Sequence, residues 1–124
     1  MKKIETSNAP AAIGPYSQGI ISNGFIYTSG QLPIDPATGK IEASTVEEQT
    51  VQVIKNVEAI LVAGGSDLSK VVKTTCFLSD IKDFGAFNEV YAKYFTSSPS
   101  RICVEVAAIP KGALVEIEVV AEAE

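Results

Sequence analysis

Two spacings of apolar residues divide the chain: alternation with a period of two in short runs, and a period near 3.6 in two longer stretches. Lys2 to Ile4 reads as a short strand, followed by a turn-rich stretch from Asn8 to Pro15. The runs Gln18–Ser22 and Phe25–Gly30 flank Asn23-Gly24, a dipeptide suited to the positive φ angles of a tight hairpin. Pro33, Asp35-Pro36 and Thr38-Gly39-Lys40 then form a long loop. Ser44 with Glu47 makes a capping-box pattern, and Val46, Val53, Ile54, Val57, Ile60 and Leu61 recur at helical spacing up to Gly64-Gly65, predicting a helix from Thr45 to Ala63. Val71 to Leu78 reads as a strand. Asp80 is placed to cap a second helix, whose Phe84, Phe87, Tyr91 and Phe95 lie near one stripe and which Ser97-Ser98-Pro99 ends. Two final strands, Ser100 to Ala107 and Leu114 to Ala121, are joined by Ile109-Pro110-Lys111-Gly112-Ala113.

The order β-ββ-α-β-α-ββ predicts an α+β layer fold, a largely antiparallel sheet with both helices on one face. Alternation then assigns faces. In the strand after Pro99 it sends Ile102, Val104 and Val106 to the core and Arg101, Cys103 and Glu105 to the outer face. Glu116 and Glu118 share that outer face, opposite Val115, Ile117 and Val119. The middle strand adds either the Val72/Thr74/Cys76/Leu78 set or the Val71/Lys73/Thr75/Phe77 set. A face this mixed is too polar for a core and too apolar for open water. It points to an oligomer whose sheets face one another, a homotrimer or other small ring.

Composition narrows the chemistry. The 124 residues fit one domain, 1–124, with little room for a deep private pocket, so a subunit interface is the natural place for a site. No run approaches the roughly 20 apolar residues of a membrane span, and the N-terminus leads into no apolar signal segment, so a soluble cytoplasmic protein is expected. A net charge of −5 without a basic stripe argues against nucleic acid. With no histidine, Ser-His-Asp and Cys-His catalysis are excluded. Cys76 and Cys103 lack metal-ligand spacing, the aspartates lack that of a calcium loop, and no cofactor motif is present.

What remains is a small set of polar groups. Arg101 offers a planar fork that can hold a carboxylate by two parallel hydrogen bonds, or can pair with Glu105 or Glu118. Glu116, partly desolvated, can position or deprotonate a water; as a plain strand glutamate it would be solvated. Tyr16 is a loop phenol or hairpin cover, Gly30 a point of close ligand approach or a turn glycine, and Asn88 a ligand contact or solvent-facing. Cys103, without a histidine partner, is better suited to donate its strand amide than to attack. A tight hairpin around Lys111-Gly112 would place Arg101 opposite about position 121, roughly 16 Å along the strand from Glu116. Either that hairpin is irregular or the two residues meet through another subunit.

Gly14-Pro15-Tyr16-Ser17-Gln18, Tyr27-Thr28-Ser29-Gly30-Gln31, Phe87-Asn88-Glu89-Val90-Tyr91, the run from Pro99 to Val106, Pro110-Lys111-Gly112 and Val115-Glu116-Ile117-Glu118 together resemble the RidA/YjgF family of enamine/imine deaminases, nearly end to end. The resemblance implies a chorismate-mutase-like fold, a homotrimer with three clefts between subunits, and cofactor-independent hydrolysis of 2-iminopropanoate and 2-iminobutanoate to 2-keto acids and ammonia. It implies that Arg101 binds the substrate carboxylate and Glu116 handles the water. Tyr16, Gly30, Asn88 and the Cys103 backbone would line the cleft. Ile102 departs from the small or polar residue often found after the arginine, and by alternation it would face the helices. Two further readings are a keto-acid-binding regulator without turnover and, set against the acidic balance and missing histidine, a translation-inhibiting ribonuclease.

Overall fold

The computed structural model describes residues 1–123. The elements are β1 (Lys2–Ile4), β2 (Gly19–Ser22), β3 (Phe25–Thr28), α1 (Val46–Ala63), β4 (Val71–Leu78), α2 (Phe84–Tyr94), β5 (Ser100–Glu105) and β6 (Val115–Glu122). Asn23 and Gly24, at φ 52° and 82°, turn the predicted hairpin between β2 and β3. Helix α1 starts one residue later than the capping-box pattern at Ser44 implied. Thr45 is the cap, its hydroxyl accepting from the Glu48 N–H at 3.2 Å. Thr45 and Glu48 repeat the same four-residue pattern as Ser44 and Glu47, and Val46, the first helical residue, is buried. Asp80 caps a short 3₁₀ turn, Ile81–Asp83, that runs into α2, and does not cap α2 itself.

The six strands form one sheet in the order β1-β2-β3-β6-β4-β5, mixed but mostly antiparallel, with both helices on one face. Val53, Ile54, Val57, Ile60 and Leu61 of α1 are fully buried against Val115, Ile117, Val119 and Ala121 of β6. Fully burying side chains of this size is worth about 1.5–3 kcal/mol each, so this seam dominates the fold. No helix is long and apolar enough to cross a membrane.

The final two strands do not form the expected hairpin. Strand β4 lies between them, antiparallel to β6 (Cys76↔Ile117, Phe77↔Glu116) and parallel to β5 (Thr74↔Arg101, Cys76↔Cys103). Register-paired residues share a face. Arg101 and Cys103 therefore lie with buried Thr74 and Cys76 on the helix side, the reverse of the face assignment drawn from alternation. Ile102 and Val104, expected in the core, are exposed on the opposite face with Thr75, Phe77, Glu116 and Glu118. The apolar residues of β5 mark a face that the rest of this chain does not cover.

Thr45→Ala should lower the stability of the protein by about 1 kcal/mol, while Ser44→Ala should change it by less than about 0.5 kcal/mol. Urea denaturation at one fixed protein concentration checks this, and equal losses would return the cap to Ser44.

Candidate active site

The guanidinium of Arg101 lies under α2. Its Nη1 donates to Asn88 Oδ1 at 2.6 Å, and its central carbon sits 4.7 Å from the ring centroid of Tyr91 and 5.4 Å from that of Phe84. The Tyr91 hydroxyl shares a 2.7 Å hydrogen bond with Thr74 Oγ1, which is fully buried on β4. Burial pushes the Tyr91 phenol above its ordinary pKa, so at neutral pH it keeps its proton. An open groove of about 580 Å³ runs past Asn88, Tyr91, Phe95, Ser98, Pro99 and Arg101. One Arg101 donor is committed to Asn88. The rest of the fork is available to an anion.

Cys103 follows two residues along β5, half-buried on the same side. Burial raises its thiol pKa, and the nearby Arg101 charge only partly offsets this, so the sulfur is not a thiolate at neutral pH. Its peptide is better placed. Val106 N–H donates to Leu78 O, and because N–H groups alternate sides along a strand, those of Arg101 and Cys103 point to the free edge of the sheet.

Glu116 lies on the other face of the sheet, opposite Phe77 on β4, and is half-buried. Burial first, then the charge of Glu118 two residues along the same face, push its carboxyl above the usual 4.5. Gly30 meets it here. The β3–β6 ladder breaks after Tyr27↔Val120 and resumes as a single bridge, Gln31↔Ile117, so three residues, 28–30, oppose two, 118–119. The Thr28 hydroxyl fills the gap by accepting from Val119 N–H at 3.0 Å. This bulge brings the Gly30 backbone so close that a Cβ there would run into the Glu116 carboxylate.

Arg101, Asn88 and Cys103 thus gather on the helix side, and Glu116 and Gly30 on the outer side. Tyr16 joins neither group. It is exposed on its loop, with its hydroxyl accepting from Ile13 N–H at 3.4 Å, and lines a separate cavity of about 700 Å³ with Thr6, Ser7 and Gln18. The surroundings of Arg101 also include Tyr91 and Phe84, which the chain pattern places on the apolar stripe of α2, and Thr74, from one of the two sets that alternation left open for β4. Thr74 does leave one signal: it is a hydroxyl at an inward position of a strand otherwise lined by Cys76 and Leu78.

A family profile described as Endoribonuclease L-PSP matches residues 6–123. The chain belongs to this family, that of the RidA/YjgF proteins. It is 54% identical over 123 residues, 98% of each chain, to a Lactococcus lactis protein that carries the name of a regulator, AldR. It is 51% identical over 119 residues to a goat (Capra hircus) protein named 2-iminobutanoate/2-iminopropanoate deaminase, covering 95% of this chain and 87% of that one. The crystal structure of Escherichia coli TdcF with bound serine superposes with a TM-score of 0.94 at 43% identity, over 98% of each chain. The RidA/YjgF fold is therefore that of this chain, while the names of its relatives span an enzyme and a regulator.

Iodoacetamide should label Cys103 of the native protein more slowly at pH 8 than it labels an unstructured cysteine peptide, and the rate should climb as pH rises. Cys76, its pKa pushed up to about 12 by burial, should stay unlabelled until denaturant is added. Mass spectrometry of the peptides reads both, and faster-than-free labelling of Cys103 would reopen a nucleophilic role.

Proposed function

We propose that the protein hydrolyses small reactive 2-imino acids, such as 2-iminopropanoate and 2-iminobutanoate, to 2-keto acids and ammonia. The reaction takes place in clefts shared between copies of a homotrimer. The observation that carries this reading is the separation of the two half-sites by the sheet. Arg101 with Asn88 forms a carboxylate-binding half on one face, and Glu116 with Gly30 forms a water-handling half on the other. Within one chain they do not meet; a neighbouring copy would complete each half. The exposed Ile102, Val104, Tyr27 and Phe25 of the outer face, and the free edge of β5, support such a neighbour.

In the completed cleft the Arg101 fork holds the substrate carboxylate, and the Cys103 N–H at the sheet edge offers a further donor. The iminium carbon is already electrophilic, so the protein has to supply position and proton transfer. Glu116 of the neighbour orients a water and takes its proton as the oxygen adds to C2. The resulting carbinolamine, its nitrogen protonated, collapses to the keto acid and releases ammonia; one water enters and one ammonia leaves. A carboxyl raised by burial and by Glu118 is drawn down again by an arginine across the cleft, toward the range in which it can both accept and return a proton.

The relative named as a regulator favours a second reading, a sensor that binds keto acids in the same cleft without turnover. A dehydratase supplied with serine, followed for pyruvate and ammonia release, separates the two: acceleration by this protein supports hydrolysis, and an unchanged rate with keto-acid binding by calorimetry supports the sensor. Arg101→Ala and Glu116→Gln should each lower the accelerated rate by about 100-fold or more. Co-expressing the two variants should restore about a quarter of the activity, because in a randomly mixed ring one cleft in four receives both wild-type residues. No recovery from mixed rings would sink the shared cleft.

A further inference from the structure

We infer that Thr74 and Tyr91 act as positioning residues for Arg101, a buried hydroxyl pair that fixes the plane of the carboxylate-binding fork. This rests on the carboxylate-anchoring role of Arg101 proposed above, and extends it to residues that touch no substrate. Thr74 is the register partner of Arg101 across the parallel β4–β5 ladder, so its hydroxyl comes from the strand next to the one that carries the arginine. That hydroxyl holds the Tyr91 hydroxyl at 2.7 Å, and both residues are buried. The Tyr91 ring in turn lies 4.7 Å from the guanidinium carbon, while Asn88, three residues earlier on α2, accepts a hydrogen bond from one guanidinium N–H. The fork is therefore held between an aromatic ring and an amide, both on one helix.

The Thr74–Tyr91 bond ties that helix to the sheet at the point of grip. Phe95, 4.5 Å from Tyr91 between ring centroids, and Phe87, at 5.6 Å, back the ring and limit its tilt. Without the hydroxyl pair, the ring keeps its apolar neighbours but loses the bond that sets its rotation and the spacing of α2 from β4. Two-point recognition of a carboxylate depends on the plane of the guanidinium, so the loss should appear in substrate binding before it appears in the chemical step.

Thr74→Val keeps the branched shape and removes the hydroxyl. Kinetics in the dehydratase-coupled assay should show KM raised about tenfold with kcat within about twofold of wild type, and Thr74→Ser should restore KM. Thr74→Val leaves the Tyr91 hydroxyl unpaired, so the double variant Thr74→Val/Tyr91→Phe, in which neither partner is left unsatisfied, guards against simple misfolding; its KM should also be raised. A second readout needs no turnover. In ¹⁵N NMR the Arg101 guanidinium of the wild-type protein should give separate Nη signals, the mark of restricted rotation, and these should average in the double variant. If KM and the NMR pattern of both variants match wild type, the positioning role is wrong. It is equally wrong if Thr74→Ser is as impaired as Thr74→Val, since packing alone would then explain the effect. If the wild-type protein hydrolyses no imine, the proposed activity fails, and the NMR comparison alone still decides whether the pair restrains Arg101.

Discussion

The insertion of β4 between β5 and β6 is the constraint on which the rest depends. It makes one ladder of the sheet parallel, and a parallel neighbour cannot be reached by a short hairpin. The chain meets this requirement by running α2 between β4 and β5, then carrying the segment after β5 back to the far side of β4. The register that results sets Arg101 beside Thr74 and Glu116 beside Phe77. Thr74 and Phe77 stand an odd number of positions apart on β4 and so point to opposite faces, and the two charged groups follow them.

Buried polar side chains hold this arrangement by bonding loops to the core. Asn56 on α1 donates to the carbonyls of Leu32 and Ile34 at 3.0 and 2.9 Å, and Gln49 binds Ala43 O and Leu114 N–H. These contacts fix the loop that leaves Gly30 and the start of β6, the two chain segments that bound Glu116. Gln18 ties the N-terminal loop down through Thr6, Ala9 and Pro10. Among the described residues no buried side-chain nitrogen or oxygen is left without a partner, which is what a packed interior requires, since each such orphan costs about 1–3 kcal/mol.

Several elements were legible in the chain because their causes are local. Asn23-Gly24 adopts positive φ wherever two strands must reverse tightly, and the spacing from Val53 to Leu61 produces an apolar stripe on any α-helix. The faces of β5 were not legible. Alternation tells which side of a strand is dry without telling what keeps it dry, and Ile102 and Val104 are apolar on the side away from the helices. Arg101 on the helix side runs against the usual rule because two aromatic rings and Asn88 receive it, and those partners, Phe84, Asn88 and Tyr91, lie on α2, well back in the chain. Asn88 was named from its neighbourhood in the sequence; Tyr91 looked like packing, and alternation left the face of Thr74 open.

The sequence by itself determined the α+β class, the order of the elements, the family, and the set of polar groups available for chemistry, because these depend on spacing, composition and matched residues. Tertiary structure alone decided which strand stands between the last two and which face each charged group occupies. The physical reason is that a strand can present its pattern to either side of a sheet. The choice is made by the strand that pairs with it, and for β5 that partner is β4, more than 20 residues earlier in the chain.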